Sequence, residues 1–236
     1  MNVKEKTNFS VKNSFQMFDR ICHKYDRLNR LISLGLDKKW RRALTEKMPS
    51  SIEHWLDGAT GTGDQILFSY NQGIRAEKIT GIDLSQGMLD IGKKKLAHIP
   101  GVELQNASLT AIPLAEKSCD LITCSFGVRN VDPFTQSLDE FYRVLKSGGT
   151  LLILESSKPS HPWMGKCHKL YMQFFLPKLA WLMGSDPKAY AYLADTTSKF
   201  PCGKDFCQFL HAAGFTCVSS TPMTLGSVTL YYAQKP

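Results

Sequence analysis

Leu56-Asp57-Gly58-Ala59-Thr60-Gly61-Thr62-Gly63-Asp64 reads as an apolar strand end running into a glycine-rich turn, with a helix expected from Gln65. Ile79-Thr80-Gly81-Ile82-Asp83-Leu84 reads as a second strand that ends in an acid, Asp83, twenty residues beyond Gly63. Together they predict the first βαβ unit of a doubly wound, mostly parallel α/β sheet of Rossmann-like type, built to hold a nucleoside. Gly61 and Gly63 let the backbone pass close under a ligand. Asp83, with Leu84 beside it, is placed to accept hydrogen bonds from ribose hydroxyls.

The nucleoside is not a dinucleotide. A third glycine three residues after Gly63 would be needed, and Ile66 stands there. A phosphate-gripping lysine is also missing, because Gly63 is followed by Asp64. An acid at this helix start repels a pyrophosphate but suits a ligand with a cationic end. Asp57 and Asp64 therefore point to S-adenosylmethionine, which carries a sulfonium and an ammonium. Asp64 also reads simply as a helix N-cap.

Outward from this unit the rhythm continues. Strands are expected at 54–57, 78–83, 102–106, 119–124 and 150–155, with helices from Gln65 and over 86–98 and 134–145. Lys146-Ser147-Gly148-Gly149 reads as the cap of the last of these. Two helices are expected ahead of the sheet, over 9–31 and 37–47. A final crossover helix over 205–213 precedes strands at 215–220 and 227–233. The whole chain, 1–236, reads as one domain. Residues 1–50 form an N-terminal helical lid, and 160–200 a helical insertion that covers the substrate.

Within that insertion, 161–183 is rich in aromatics, methionine and lysine and has no acid. It reads either as core packing at the sheet edge or as a greasy cover whose lysines face acidic headgroups. The net charge of +8 points to an anionic partner. Seven cysteines without a Cys-x-x-Cys pair argue for reduced thiols in the cytoplasm and against a disulfide framework or zinc site. No apolar run is long enough to span a bilayer, so membrane contact is expected to be peripheral, at the inner face.

Several segments resemble the UbiE/COQ5 C-methyltransferases. Phe18-Asp19-Arg20-Ile21 through Lys24-Tyr25-Asp26-Arg27-Leu28-Asn29, with Trp40-Arg41, is similar to their N-terminal signature. Ser125-Phe126-Gly127-Val128-Arg129-Asn130-Val131, Tyr142-Arg143-Val144-Leu145-Lys146-Ser147-Gly148-Gly149 and Leu154-Glu155-Ser156-Ser157-Lys158-Pro159 are similar to internal ones. The likeness covers nearly the whole chain. It implies methylation of a ring carbon of a prenylated quinol in menaquinone or ubiquinone biosynthesis, with S-adenosylmethionine as donor. Carried over by motif, it places Thr62 in the cofactor loop, Asp83 on the ribose, Asn106 and Ala107 beside the adenine, and Ser125 at the fourth strand's end. Thr60 stands where the family usually has glycine or cysteine, which adds bulk under the cofactor.

Carbon methylation needs an electron-rich ring, so the site must take a proton from a quinol hydroxyl or stabilise the phenolate. Arg129, just past the fourth strand, is the candidate cation; an ion pair with Asp132 or Asp139 is the structural role it could hold instead. Asn130 is a candidate donor to a quinol oxygen or a turn residue. Tyr25 reads as an active-site residue of the lid or as a core aromatic. His161 and His168 are candidate bases or packing residues. No metal site is expected.

A nucleic-acid methyltransferase is disfavoured, because Ser125-Phe126-Gly127-Val128 replaces the Asp/Asn-Pro-Pro-aromatic grip of the amino-methylating enzymes. No nucleic-acid partner is therefore expected. O- or N-methylation of a different small acceptor stays open, and so does a non-catalytic subunit of a quinone-pathway complex. Self-association into a homo-oligomer is the remaining partner expectation.

Overall fold

The computed structural model describes residues 14–159, 163, 170 and 195–236. Seven strands form one sheet: β1 (His54–Gly58), β2 (Lys78–Asp83), β3 (Val102–Asn106), β4 (Cys119–Ser125), β5 (Leu145–Ser156), β6 (Thr216–Met223) and β7 (Val228–Gln234). Their order is β3-β2-β1-β4-β5-β7-β6. Strands β1 to β5 pair in parallel, and β7 pairs antiparallel with both β5 and β6.

Among the elements of the described residues, these α-helices accompany the sheet: α1 (Ser14–Ile32), α2 (Asp37–Thr45), α3 (Asp64–Asn71), α4 (Gln86–Leu96), α5 (Phe134–Val144) and α6 (Lys204–Ala212). Alternation along β1 assigns them to layers. Leu56 packs with Phe141 and Val144 of α5 and Phe206 and Leu210 of α6, while Trp55 packs with Leu44 of α2, Ile66 of α3 and Leu96 of α4. Both faces of the parallel strands are thus buried, as the near-continuous apolar runs of β4 and β5 require.

The largest boundary difference among the described residues lies at the start of β5. Lys146-Ser147-Gly148-Gly149 does not cap α5 but lies inside β5, which begins at Leu145 directly after the helix. The pairing register moves from Cys119↔Leu145 to Leu121↔Thr150, so the stretch from Lys146 to Gly149 bulges opposite the single residue Asp120. Lys146 uses the bulge to reach both Asp120 (2.8 Å) and Glu53 (2.6 Å). The expected cover over 160–200 and the first 13 residues of the lid lie largely or wholly outside the described residues, as do His161 and His168.

Strand order reverses between β1 and β4, each of which has its other parallel neighbour on the far side. Open α/β sheets bind ligands beyond the strand ends at such a point. Helix α1 is tied down over that edge. Asp19 accepts hydrogen bonds from the Gly87 N–H (3.0 Å) and Ser85 Oγ (2.5 Å) at the start of α4. Farther along α1, Asp26 takes Thr62 Oγ1 (2.7 Å) and Lys95 Nζ (2.7 Å).

Candidate active site

Two cavities open at this edge. The first, of about 240 Å³, is lined by Gly61, Asp83, Leu84, Met88, Ala107 and Leu109 around one end and by Phe18, Tyr25, Ser125, Phe126, Gly127 and Asn130 around the other. The second, of about 430 Å³, is more apolar and is lined by Tyr25, Leu36, Trp40, Phe126, Arg129 and Val228 among others. Tyr25 and Phe126 line both, so the two hollows share a wall.

The glycine turn is built locally. Gly63 precedes α3 with φ +77, a left-handed conformation that glycine adopts without penalty. Gly127 serves a different need: a Cβ there would fall 2.4 Å from Ala59 Cβ and 2.9 Å from Cys124 Sγ. Only a bare backbone lets the β4 loop approach the β1 loop this closely. The bulk of Thr60 is turned inward, with its hydroxyl donated to Asp57 (2.6 Å), and does not line the first cavity.

Asp83 lines the first cavity at the tip of β2. Its Oδ2 accepts the Gly61 N–H (2.9 Å) and its Oδ1 the Ser85 N–H (2.9 Å). A carboxylate oxygen has a second lone pair, so each can still accept a hydroxyl. Burial raises this carboxyl above its ordinary value of 3.8, opposed by those same backbone donors. Asp83→Ala is expected to weaken donor binding by about 1–3 kcal/mol, the worth of a charge-assisted acceptor and the loop it steadies. Titration calorimetry with S-adenosylmethionine reads it, and unchanged affinity removes Asp83 from the site.

Five residues expected at the cofactor do not line the cavity. Asp57 is buried beneath it, accepting Thr60 Oγ1 and Thr123 Oγ1 (2.5 Å). Thr62 points to Asp26 and Lys95, so it anchors helix α1 rather than facing the hollow. Gly63 lies against Leu96. Asp64 is neither an N-cap nor aimed at the cavity: it is the first residue of α3 and pairs with Lys95 and with Arg41 (3.9 Å). Burial would raise its carboxyl, but Arg41 and Lys95 outweigh burial and hold it below the ordinary range. Asn106 donates to the carbonyls of Leu84 (2.9 Å) and Asp83 (3.3 Å), which fixes the strand tips beside Ala107.

Ser125 lines the first cavity and donates to Gln65 Oε1 (3.4 Å). Tyr25 stands in the shared wall. Burial pushes its phenol above 10.0, against a hydrogen bond with Asn29 and the nearby Arg129 and Arg41 cations, so it stays protonated and can donate. Asn130 Nδ2 donates to the Phe126 carbonyl (3.2 Å) at the rim of the first cavity.

Arg129 lines the second cavity, and its carboxylate partner is Glu155, which neither expected pairing anticipated. Nη1 lies 2.5 Å from Glu155 Oε1 and 2.7 Å from the Phe126 carbonyl, and the Arg129 N–H reaches Glu155 Oε2 (3.3 Å). Phe18, Met88 and Phe126 were missed as lining residues. Phe126 carries a readable signal only in its place inside Ser125-Phe126-Gly127; its φ of +60 belongs to the folded chain alone. The six described cysteines are free, and burial raises the Cys119 thiol to about 11 and holds Cys124 well above its ordinary value, which leaves both unreactive.

The sequence profile of the ubiE/COQ5 methyltransferase family matches residues 2–235. A protein of Syntrophotalea carbinolica named ubiquinone/menaquinone biosynthesis C-methyltransferase UbiE is 41% identical over 217 residues, covering 91% of each chain. A demethylmenaquinone methyltransferase of Chlorobaculum parvum is 37% identical over 238 residues, covering 99% of this chain and 95% of its own. Among solved structures, a Thermotoga maritima S-adenosylmethionine-dependent methyltransferase superposes with a TM-score of 0.67 at 18% identity, covering 94% of this chain and 99% of its own. That last likeness is one of fold.

Proposed function

This chain belongs to the ubiE/COQ5 methyltransferase family, and from that premise we propose that it methylates a ring carbon of a prenylated quinol using S-adenosylmethionine. Demethylmenaquinol is the favoured acceptor, in keeping with the names of its relatives. A 2-methoxy-6-polyprenyl-1,4-benzoquinol of ubiquinone biosynthesis is the second, since some relatives carry both pathways in their names. One observation carries the reading: a hollow bordered by Asp83 and a more apolar hollow bordered by Arg129 meet at Tyr25 and Phe126. A nucleoside donor suits the first, a flat greasy ring the second.

Bound S-adenosylmethionine supplies an electrophilic methyl group. The chain has to align the reactants and make the ring carbon nucleophilic. In this reading Asp83, Gly61, Leu84, Ala107 and Ser125 hold the donor directly. Asp57, Thr62, Gly63, Asp64 and Asn106 shape the loop from outside the hollow. Arg129 stabilises the quinolate oxygen and keeps its own proton, so the hydroxyl proton, and the ring-carbon proton lost after methyl transfer, pass to water. Protonated Tyr25 and the amide of Asn130 donate to the acceptor's oxygens.

The acceptor's tail lies in a membrane, and the reading includes peripheral contact with an anionic membrane surface on the cytoplasmic side, supported by the net charge of +8. Among the described residues no helix is long and apolar enough to cross a membrane.

The test is turnover of a short-tailed demethylmenaquinol with methyl-labelled donor, followed by mass-spectrometric placement of the label. Ring-carbon labelling that depends on a reductant is expected, because an oxidised quinone ring is electron-poor. Label on oxygen would replace the carbon assignment. Equal turnover of the oxidised quinone would remove quinolate activation.

A further inference from the structure

Three of the most exposed large apolar side chains stand together at the second cavity. Leu34, Trp163 and Leu225 are 72%, 69% and 71% exposed, and all three line that hollow. A single exposed leucine means little; three around one opening make an apolar rim. Two of them are also held at a conformational cost. Leu34 has φ +52 and Leu225 φ +58, left-handed backbone that a bulky residue enters only against strain. Among the described residues, packing does not offset that strain, since both side chains are largely exposed. Backbone outliers of this kind cluster where proteins clamp ligands or switch state.

Positive charge borders the rim. A neighbouring hollow, which shares Asp37 and Arg41 with the apolar cavity, is lined by Arg30, Lys38 and Arg42. Between residues 20 and 47 eight lysines and arginines are exposed, against Glu46 as the one exposed acid. This stretch therefore carries charge equal in size to a large part of the chain's net +8.

We propose that this rim is the face with which the protein docks on an anionic lipid bilayer. Leu34, Trp163 and Leu225 enter the acyl boundary, tryptophan being suited to that interface, and the surrounding lysines and arginines meet the headgroups. The cavity mouth then opens into the bilayer, and a prenyl tail passes into it without crossing water. That last clause rests on the proposed acceptor; the docking itself does not.

Flotation of the full chain with vesicles, without donor or quinol, tests the surface. Binding is expected to phosphatidylcholine vesicles containing phosphatidylglycerol, to be weak on phosphatidylcholine alone, and to fall as salt rises. Leu34→Ser with Leu225→Ser should reduce it roughly tenfold or more, as the loss of two inserted side chains implies. Lys38→Ser, Lys39→Ser and Arg42→Ser together should abolish the preference for anionic vesicles while turnover of a short-tailed soluble quinol stays at the wild-type rate. Equal binding to neutral vesicles, or binding that survives both sets of changes in variants with wild-type melting curves, overturns the proposal. So does a wild-type dimer that ignores vesicles and is split by the leucine changes, since a second copy would then cover the rim. Intact vesicle binding with no turnover of any quinol would instead count against the acceptor.

Discussion

Arg129→Ala is expected to lower folding stability by about 3–5 kcal/mol and to abolish most turnover. The arginine side chain is 6% exposed and Glu155 is not exposed at all. Removing one partner of such a pair leaves an uncompensated charge in a dry interior, which costs far more than the pair contributes when intact. Glu155 would keep its contacts from the Arg129 and Ser156 N–H groups, the latter at 2.8 Å, but no cation among the described residues. For a chain of this length the melting temperature should fall by roughly 10 °C. The damage also reaches the chemistry, because Nη1 holds the Phe126 carbonyl. Without it Phe126, one of the two residues shared by both cavities, loses an anchor.

A collapse in activity alone would not separate catalysis from architecture. Arg129→Lys does: an ammonium can still face Glu155 but cannot fork between Glu155 and the Phe126 carbonyl as a guanidinium does. That variant should recover most of the stability, with kcat reduced and KM for the quinol near the wild-type value. Normal kcat in a well-folded Arg129→Lys protein would leave Arg129 as an anchor only. An alanine variant with wild-type melting and turnover would defeat both roles.

What could be read from the chain follows how local each feature is. The strand–turn–helix around Gly61 and Gly63 and the acid Asp83 depend on neighbours within one βαβ unit, so glycine spacing and alternation suffice. The Arg129–Glu155 pair joins residues 26 apart through the parallel pairing of β4 and β5, and the nearer Asp132 and Asp139 are better candidates on spacing alone. Asp64 illustrates the same limit. Its place at a helix start fits a cationic ligand, yet Lys95 arrives from α4 and Arg41 from α2 to neutralise it. The second cavity draws on residues from Tyr25 to Val228, and nothing in the one-dimensional pattern brings these together. Lys146–Gly149 misled for a local reason: lysine, serine and two glycines after a helix make a cap signal, and only strand register reveals a bulge.

The second large effect concerns Asp57, and stability and binding should move in opposite directions. The residue is 1% exposed, and burial raises its carboxyl from 3.8 to about 6, against hydrogen bonds from Thr123 and Thr60. A carboxyl whose folded value is raised favours the folded state below its unfolded value, and that contribution disappears as pH rises through about 6. The difference corresponds to about 3 kcal/mol between roughly pH 4 and pH 7. Asp57→Asn removes the ionisation, so the variant should gain on the wild type by up to that amount over this interval, measured by urea unfolding at each pH. Parallel curves would mean Asp57 is not the titrating group. Such a cost in the wild type calls for a use. The ionised carboxylate lies under the glycine turn, hydrogen-bonded to Thr60, where it contributes a negative potential to the hollow without touching a ligand. The asparagine variant should accordingly bind the sulfonium donor more weakly while its affinity for the neutral thioether product changes less. Equal losses for the two ligands would assign Asp57 to shaping the loop and take the field argument away.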